Sequence, residues 1–216
     1  MKVTGLKWAL PTTVLALAVL AAGSSGGANA IRHGRQDVEA KLEYCKTCHG
    51  LWGEGYHGYF AMPRLAGQQP RYIENQLRAF IERRRSNPVM FNVAHSLHPS
   101  MLAALADHFH ALNPPPAGIG PQRLAASGKT IYEEGIPEAN VAACLACHGL
   151  EARGGDEIPR LAGQLYPYLV KTLTGWEKQR GQGAGKSDTS AIMAPTAHNL
   201  TQSQIAAVAA YVSHLK

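Results

Sequence analysis

The sequence predicts an all-α protein built from two tandem copies of one small helical domain. The chain has 216 residues, and its second half repeats the motifs of its first half in the same order. Apolar residues near the end of each half recur at the spacing of one helix face, and no segment alternates apolar and polar residues as a half-buried strand would. The predicted domains are residues 31–112 and residues 122–216.

The first 30 residues are predicted to be a signal peptide, outside the folded domains. Lys2 and Lys7 form a positive region, Val14–Ala22 is a short apolar run, and Ala28–Ala30 has the small residues of a cleavage site. The apolar run is much shorter than the roughly 18 residues that span a bilayer. Cleavage and export are therefore favoured, and an uncleaved membrane anchor is the alternative.

The strongest chemical signal is a C-x-x-C-H motif that occurs once in each half. This pattern is the attachment signature of c-type haem: two thiols bind the porphyrin edge covalently and the histidine binds the iron. The motifs use all four cysteines of the chain. The sequence therefore predicts two covalently attached haem c groups. The residues are Cys45, Cys48 and His49 in the first half, and Cys144, Cys147 and His148 in the second.

The repeat extends well beyond the haem motifs. Pro-Arg-Leu-Ala-Gly-Gln occupies residues 63–68 and again residues 159–164, and Tyr72 corresponds to Tyr168. Five apolar positions near the end of each half match at one spacing, which predicts a last helix with one buried face. These positions are Leu102, Leu105, Ala106, Phe109 and Leu112, matched by Ile205, Val208, Ala209, Val212 and Leu215.

Helix boundaries can be predicted from capping signals. Each half is expected to have a helix that ends in the C-x-x-C-H motif and a second helix that starts near Pro70 or Tyr166. Thr201 with Gln204 predicts a capping box at the start of the last helix, and Pro99 suits the first turn of its counterpart. Between the halves, residues 113–121 contain four prolines, which indicates a stiff, extended linker.

Met90 and Met193 are the predicted second axial ligands of the two irons. Each lies five residues before a histidine and seven before a leucine, in a predicted loop that leads into the last helix. An electron carrier needs a permanently six-coordinate iron, and methionine is a known partner of histidine in such sites. Two alternatives stand beside this: methionines that only fill packing space, and ligation by the paired histidines His95 and His198.

Pro63 and Pro159 are predicted to orient the two iron-binding histidines. A ligating imidazole usually donates its other N–H to a carbonyl, and each proline lies a short loop beyond a haem motif. The alternative is a simple turn proline. Gly67 and Gly163 are expected to allow a positive φ or a close backbone approach.

The charge pattern speaks against nucleic-acid binding. The formal net charge is +6, and removal of the signal peptide takes away two lysines and no acid. No basic motif is interleaved with aromatic residues, as nucleic-acid recognition would need. Arg83–Arg85, with Arg71 and Arg78 upstream, is either a surface that steers an acidic redox partner or the solvated face of a helix.

Taken together, these motifs make the chain resemble a duplicated class I c-type cytochrome of the cytochrome c4 family. The resemblance covers nearly the whole mature chain: C-x-x-C-H-G, then P-R-L-A-G-Q, then a methionine segment, then a last apolar helix, each twice. It implies two cytochrome c domains packed about a pseudo-twofold axis, with histidine and methionine on both irons. It also implies periplasmic electron transfer, with possible peripheral association with a membrane.

The expected function is an electron-transfer protein without catalysis of its own, relaying electrons between a donor complex or dehydrogenase and a terminal oxidase or other acceptor. Similar modules accept electrons in sulfur-compound or alcohol dehydrogenases. The alternative is therefore a haem subunit of, or itself, a di-haem oxidoreductase such as a dehydrogenase or peroxidase. Matched methionines in both halves and the absence of a spare cysteine favour the carrier.

Overall fold

A computed structural model describes residues 1–2, 25–180 and 189–216, with side chains for residues 1–2, 36–180 and 190–216. Regular structure in these ranges is helical, and extended residues pair only in isolated bridges, in agreement with the predicted all-α class. Gln36–Lys216 form one compact unit and Met1–Arg35 another. The predicted apolar core of the signal peptide lies outside the described residues, and signal cleavage stays a prediction.

The described part of the first half contains four α-helices. Helix α1 spans Ser25–His49 and carries the first C-x-x-C-H motif at its end, as predicted. Helix α2 spans Pro70–Ile81, α3 spans Pro88–His95, and α4 spans Leu102–Ala111 after a 3-10 turn at Pro99–Met101. Proline opens α2, α3 and this turn, because a first-turn residue has no use for the N–H that proline lacks.

The second half contains six α-helices within its described residues, with short 3-10 helices at Pro137–Ala139 and Thr189–Met193 between them. Thr201 and Gln204 form the predicted capping box at the start of the last of them, with both reciprocal hydrogen bonds present. None of the described helices is both long enough and apolar enough to cross a membrane. The six helices are α5 (Ala125–Glu134), α6 (Leu145–His148), α7 (Tyr166–Thr174), α8 (Trp176–Gln179), α9 (Ala194–Asn199) and α10 (Gln202–His214).

The second haem motif does not end a long helix, contrary to the prediction from the repeat. Helix α5 stops at Glu134, where Gly135 takes a φ of 73° that favours glycine. A 3-10 turn at Pro137–Ala139 follows, and the motif then lies at the four-residue helix α6. The Gly-Ile-Pro sequence at residues 135–137 breaks the helix that runs unbroken in the first half.

The predicted apolar faces of the last helices form the two cores. In α4 and α10 the matched positions are buried, and each face packs on the other helices of its own half. Helix α5 crosses α10 at Gly128, where a Cβ atom would meet the carbonyl oxygen of Ala207. The buried face residues are Leu102, Leu105, Ala106 and Phe109 in α4, and Ile205, Val208, Ala209 and Val212 in α10.

Two glutamines join the halves by reciprocal hydrogen bonds to the backbone. The Gln164 side chain accepts from the Arg64 N–H at 2.8 Å and donates to the Arg64 carbonyl at 3.0 Å. Gln68 does the same to the Arg160 backbone, accepting at 2.7 Å and donating at 3.0 Å. The two repeated P-R-L-A-G-Q segments therefore bind each other: the glutamine of each segment bonds the arginine backbone of the other.

Candidate haem sites

The first site is organised around His49, at the end of α1. This histidine is 8% exposed, and its Nδ1–H donates to the Pro63 carbonyl at 2.8 Å. Burial lowers the pKa of His49 below its ordinary value, so the ring is neutral at pH 7. Because Nδ1 carries the proton, Nε2 keeps its lone pair and is available to a metal.

The second site repeats this arrangement around His148, at the end of α6. His148 is 4% exposed, and its Nδ1–H donates to the Pro159 carbonyl at 3.0 Å. Burial again lowers the pKa of this histidine. The fully buried Tyr132 of α5 donates its hydroxyl to the Gly149 carbonyl at 2.6 Å, directly after the motif. This contact holds α6 against α5, although the two helices are separate.

The four cysteines are free thiols, placed one turn apart in each motif. Cys45 and Cys144 are half-buried, while Cys48 and Cys147 are exposed. Burial raises the pKa of the Cys45 thiol, and raises that of Cys144 to about 11. Cys45 and Cys144 are therefore protonated thiols at neutral pH. No disulfide joins the two cysteines of either motif.

Met90 and Met193 lie in helical turns and not in the open loops predicted from sequence. Met90 is in the first turn of α3, where the Asn87 side chain caps its N–H at 3.0 Å. Met193 ends the 3-10 helix Thr189–Met193 and directly precedes α9. Both methionines are half-buried. A helical turn holds the backbone of each methionine in one place.

The other candidate ligands have different surroundings. His95 and His198 are both exposed, and His198 forms an ion pair of 2.7 Å with Glu177 when protonated. Met101 packs against the core of the first half. The backbone of Met62 pairs with that of Tyr56. These positions favour the matched methionines as ligands over the paired histidines.

A cross-domain cluster of two arginines and two tyrosines lies beside the sites, and we call it the arginine–tyrosine cluster. Arg85 of the first half donates to the Tyr168 hydroxyl of the second at 2.8 Å, and Arg180 of the second half donates to the Tyr72 hydroxyl of the first at 3.3 Å. Gln76 accepts from both arginines, at 2.8 Å from Arg85 and 3.3 Å from Arg180. Arg180 is 5% exposed.

This cluster has more positive charge and more donors than its own residues satisfy. Burial would raise the pKa of Tyr168, but Arg85 and Arg180 outweigh it and lower that pKa to about 8. Two buried nitrogens here, Arg180 Nε and Trp176 Nε1, have no partner among the described residues. The Arg180 guanidinium lies 4.6 Å above the Trp176 ring.

The residues present fit covalently bound haem. Each half offers two free thiols, a buried neutral imidazole with its Nε2 available, and a methionine. The orphaned donors at Trp176 and Arg180 suit the carboxylates that a haem carries, since buried donors in proteins are nearly always paired. Such carboxylates would also balance the surplus positive charge of the cluster.

The arginine run at 83–85 is not one solvated face. Arg83 is exposed and lies over the Phe91 ring at 4.3 Å, whereas Arg85 belongs to the arginine–tyrosine cluster. Arg71 pairs with Asp156 at 3.1 Å. Arg78 pairs with Glu74 and Arg84 with Glu82, at 2.9 and 2.6 Å. Most of the positive charge is therefore balanced locally or buried, which speaks against a steering surface here.

The roles of Gln68, Gln164, Arg85, Arg180 and Trp176 were not predicted from the sequence. The repetition of P-R-L-A-G-Q, and of a tyrosine nine residues after its first proline, is visible in the sequence. Those repeats indicate a shared role but not which half each side chain contacts. All but Trp176 hydrogen-bond to the opposite half, and only the folded chain reveals that exchange.

Known proteins with similar sequences and structures agree with this architecture. The family model Cytochrome c matches residues 125–216. Cytochrome c-552 of Acidithiobacillus ferridurans is 36% identical over 176 residues, which cover 79% of this chain and 73% of that protein. The thiosulfate dehydrogenase electron acceptor of Stutzerimonas stutzeri is 32% identical over 213 residues, covering 97% of this chain and 95% of that one.

A solved structure gives the same result at the level of the fold. The cytochrome c4 of Acidithiobacillus ferrooxidans superposes with a TM-score of 0.68 and 36% identity, covering 79% of this chain and 98% of that chain. The fold class predicted from sequence, two tandem class I cytochrome c domains, is thus confirmed. The family implies covalent haem c, and the two C-x-x-C-H motifs fit two such groups. The chain belongs to the di-haem cytochrome c4 family.

Proposed function

We propose that this chain is a periplasmic electron carrier that accepts electrons from a dehydrogenase or another donor complex and passes them to a terminal oxidase or another acceptor. Residues 1–30 would direct export and then be removed by signal cleavage. In this role the chain performs no catalysis of its own. Each haem, when bound, supplies an iron that holds or releases one electron.

The proposed ligand sets follow the repeat. Two thiols would attach each haem covalently, and a histidine and a methionine would bind its iron. Pro63 and Pro159 orient the two histidines through their carbonyls. The first set is Cys45, Cys48, His49 and Met90, and the second is Cys144, Cys147, His148 and Met193.

One observation carries this proposal: both motif histidines are buried, and each donates Nδ1–H to the proline carbonyl that follows in the repeat. This bond fixes the tautomer and the plane of each ring, so that Nε2 is presented in one direction. The carbonyl also makes the imidazole more basic, which strengthens its bond to iron. A ligand that does not reorient is what rapid electron transfer requires.

The dehydrogenase donor is proposed from the relatives. A protein named thiosulfate dehydrogenase electron acceptor matches nearly the full length of this chain, which supports a sulfur-compound dehydrogenase as donor. The exposed surfaces beside the two motifs also differ in chemistry. Leu51 and Trp52 follow the first motif, whereas Leu150 and Glu151 follow the second. A donor and an acceptor can therefore distinguish the two halves.

The test is the optical and EPR spectrum of the purified ferric protein, with and without cyanide, and with carbon monoxide after reduction. We expect two low-spin irons that take up neither ligand. A high-spin iron, or ready ligand uptake at one haem, would contradict the carrier and favour a di-haem oxidoreductase. Because nothing but ligation is measured, the result does not depend on which partner is correct.

The variants Met90→Ala and Met193→Ala assign the ligands. Each should retain both covalent haems and open one iron to carbon monoxide. The midpoint potential of that haem should fall, because the thioether that favours ferrous iron is lost. Met101→Ala is the matched control, since Met101 packs in the core of the first half. A low-spin spectrum that is unchanged in Met193→Ala would exclude that ligand.

Reduction kinetics test the donor. Purified thiosulfate dehydrogenase with thiosulfate should reduce the ferric protein in a stopped-flow experiment. Either Trp52→Glu or Glu151→Gln should slow this reduction more than the other, because the donor is expected to contact only one of the two surfaces. If the enzyme reduces the protein no faster than thiosulfate alone does, this donor is wrong. This result would leave the electron-carrier proposal intact, because the optical and EPR spectra test that proposal separately.

A further inference from the structure

A second concentration of positive charge lies where the linker crosses the junction of the two halves, away from the arginine–tyrosine cluster. It borders a cleft of about 200 Å³, which we call the linker cleft. The electron-carrier function makes no use of this cleft. Its lining residues are Arg64, Asn113, Pro114, Pro115, Pro116, Arg160 and Lys216.

The two arginines of the linker cleft are the matched arginines of the P-R-L-A-G-Q repeats. Arg64 is 3% exposed and Arg160 is 8% exposed. Neither has an ion pair with an acidic group among the described residues, and no acidic side chain lines the cleft. A buried charge is costly unless it is paired. Two like charges that share one cleft increase that cost.

The two guanidiniums differ in what they bind. Arg64 donates to the linker carbonyls of Pro114 at 2.8 Å and Pro115 at 3.2 Å, and so ties the linker to the first half. Arg160 uses only its Nε, which donates to the Ala162 carbonyl at 3.1 Å. Both Nη groups of Arg160 lack a hydrogen-bond partner within the described part of the chain. An arginine that is nine-tenths buried thus presents a free donor fork to the cleft.

The electrostatics of the linker cleft favour a negative charge beside the two arginines. Burial first, and the charge of Arg160 second, lower the pKa of Arg64 to about 10, although the charge of Glu54 acts in the opposite direction. Burial also lowers the pKa of Arg160. Both guanidiniums stay protonated at neutral pH, so they repel each other across the cleft. Lys216 also lines the cleft and is exposed.

We propose that the linker cleft binds a small divalent oxyanion, such as sulfate, thiosulfate or hydrogen phosphate, between Arg160, Arg64 and Lys216. A guanidinium fork matches two oxygens of such an anion. The cleft volume admits an ion of this size with some water and is too small for a nucleotide. The bound anion would link the second half, through Arg160, to the linker that Arg64 holds.

Isothermal titration calorimetry on the holoprotein tests the proposal. Sulfate, thiosulfate and phosphate are titrated separately in a chloride buffer of constant ionic strength, with acetate as the monovalent comparison. We expect saturable binding of one divalent anion per chain, at least about tenfold tighter than acetate. The same anions should raise the thermal unfolding midpoint.

Arg160→Gln should weaken this binding by about tenfold or more, because it removes the free fork. Arg71→Gln is the matched control: it removes the same charge from an exposed site where Arg71 pairs with Asp156. It should bind as the wild type does. Lys216→Gln gives a second, milder variant whose exposed position leaves the fold intact, and it should weaken binding less than Arg160→Gln.

Two results would overturn the proposal. One is the absence of saturable binding to the wild-type holoprotein with all three divalent anions. The other is equal loss of binding in Arg160→Gln and Arg71→Gln, which would indicate general screening of a positive surface. Neither outcome bears on the electron-carrier proposal, since the spectra test that separately.

Discussion

At the scale of single residues, the sites depend on hydrogen bonds that leave one atom free. His49 and His148 each commit Nδ1 to a proline carbonyl, at 2.8 and 3.0 Å, and keep Nε2 available. In the arginine–tyrosine cluster the free atoms are donors: Arg180 Nε, and Nε1 of the adjacent Trp176, have no acceptor among the described residues. In both places the unsatisfied atom indicates what a haem would supply: an iron for the imidazole and carboxylates for the donors.

Trp176→Phe tests the proposed role of an orphaned donor. The variant keeps an aromatic ring, and Phe80 occupies the corresponding position of the first half. We expect the Trp176 N–H to donate to a haem carboxylate in the holoprotein. Its loss leaves more negative charge near the iron and should lower the midpoint potential of the second haem by roughly 20–60 mV. Spectroelectrochemical titration measures this.

The control for this substitution is Trp52→Phe, because Trp52 is 65% exposed and its ring is in solvent. Its potentials should equal those of the wild type. If Trp176→Phe also leaves both potentials unchanged while the low-spin spectrum is kept, the Trp176 N–H does not act on a haem carboxylate.

At the scale of helices, the local sequence explains most boundaries and fails at one. Pro70, Pro99 and the pair Thr201 and Gln204 each mark a helix start as predicted. The single helix predicted before the second haem motif is wrong, because Gly135 adopts a positive φ and ends α5 early. The repeat predicts that the helix before each haem motif has the same form in both halves. In the second half, however, Gly135 and Pro137 end the helix before it reaches the motif.

Helices α5 and α10 cross so closely that only glycine fits at residue 128. A Cβ there would collide with the Ala207 carbonyl, which belongs to backbone and cannot rotate away. Gly128→Ala should therefore reduce the free energy of unfolding by about 1 to 3 kcal/mol, as overpacked cores do. Guanidinium chloride unfolding of the holoprotein measures this.

Gly155→Ala is the matched control for the crossing. A Cβ at Gly155 meets no atom within 4 Å, so the same change should alter the free energy of unfolding by only about 0.5 kcal/mol. Equal stability of the two variants would mean that α5 and α10 can separate without cost, against the close crossing described above.

At the scale of the whole molecule, the halves are joined by exchange between identical motifs. Gln68 and Gln164 each bind the backbone of the opposite half, and Arg85 and Arg180 each reach a tyrosine of the opposite half. Reciprocal contacts of this kind follow naturally from a duplicated sequence, since a surface that recognises its own copy forms both contacts at once.

Gln164→Leu should weaken the junction of the halves. It removes three hydrogen bonds, two to the Arg64 backbone and one from the Leu165 N–H, and leaves buried polar groups unpaired. We expect the free energy of unfolding to fall by about 2 to 4 kcal/mol. Denaturant unfolding followed by far-UV circular dichroism gives the value.

Gln122→Leu, at an exposed position in a 3-10 turn, is the comparison for that substitution and should change little. Unchanged stability in Gln164→Leu would show that the glutamine contacts add nothing to the packing of the two halves. A transition that separates into two steps would instead agree with a weakened junction.

The sequence alone determined the fold class, the haem motifs, the matched methionines and the apolar faces of α4 and α10, because each is written in local spacing or in repetition. Tertiary structure decided what those patterns contact. It placed Arg85 and Arg180 among opposite tyrosines, locked Gln68 and Gln164 onto opposite backbones, and brought Arg64 and Arg160 into one cleft. These contacts join residues about 80 to 110 positions apart, and spacing along a chain does not encode which side of a junction a side chain will face.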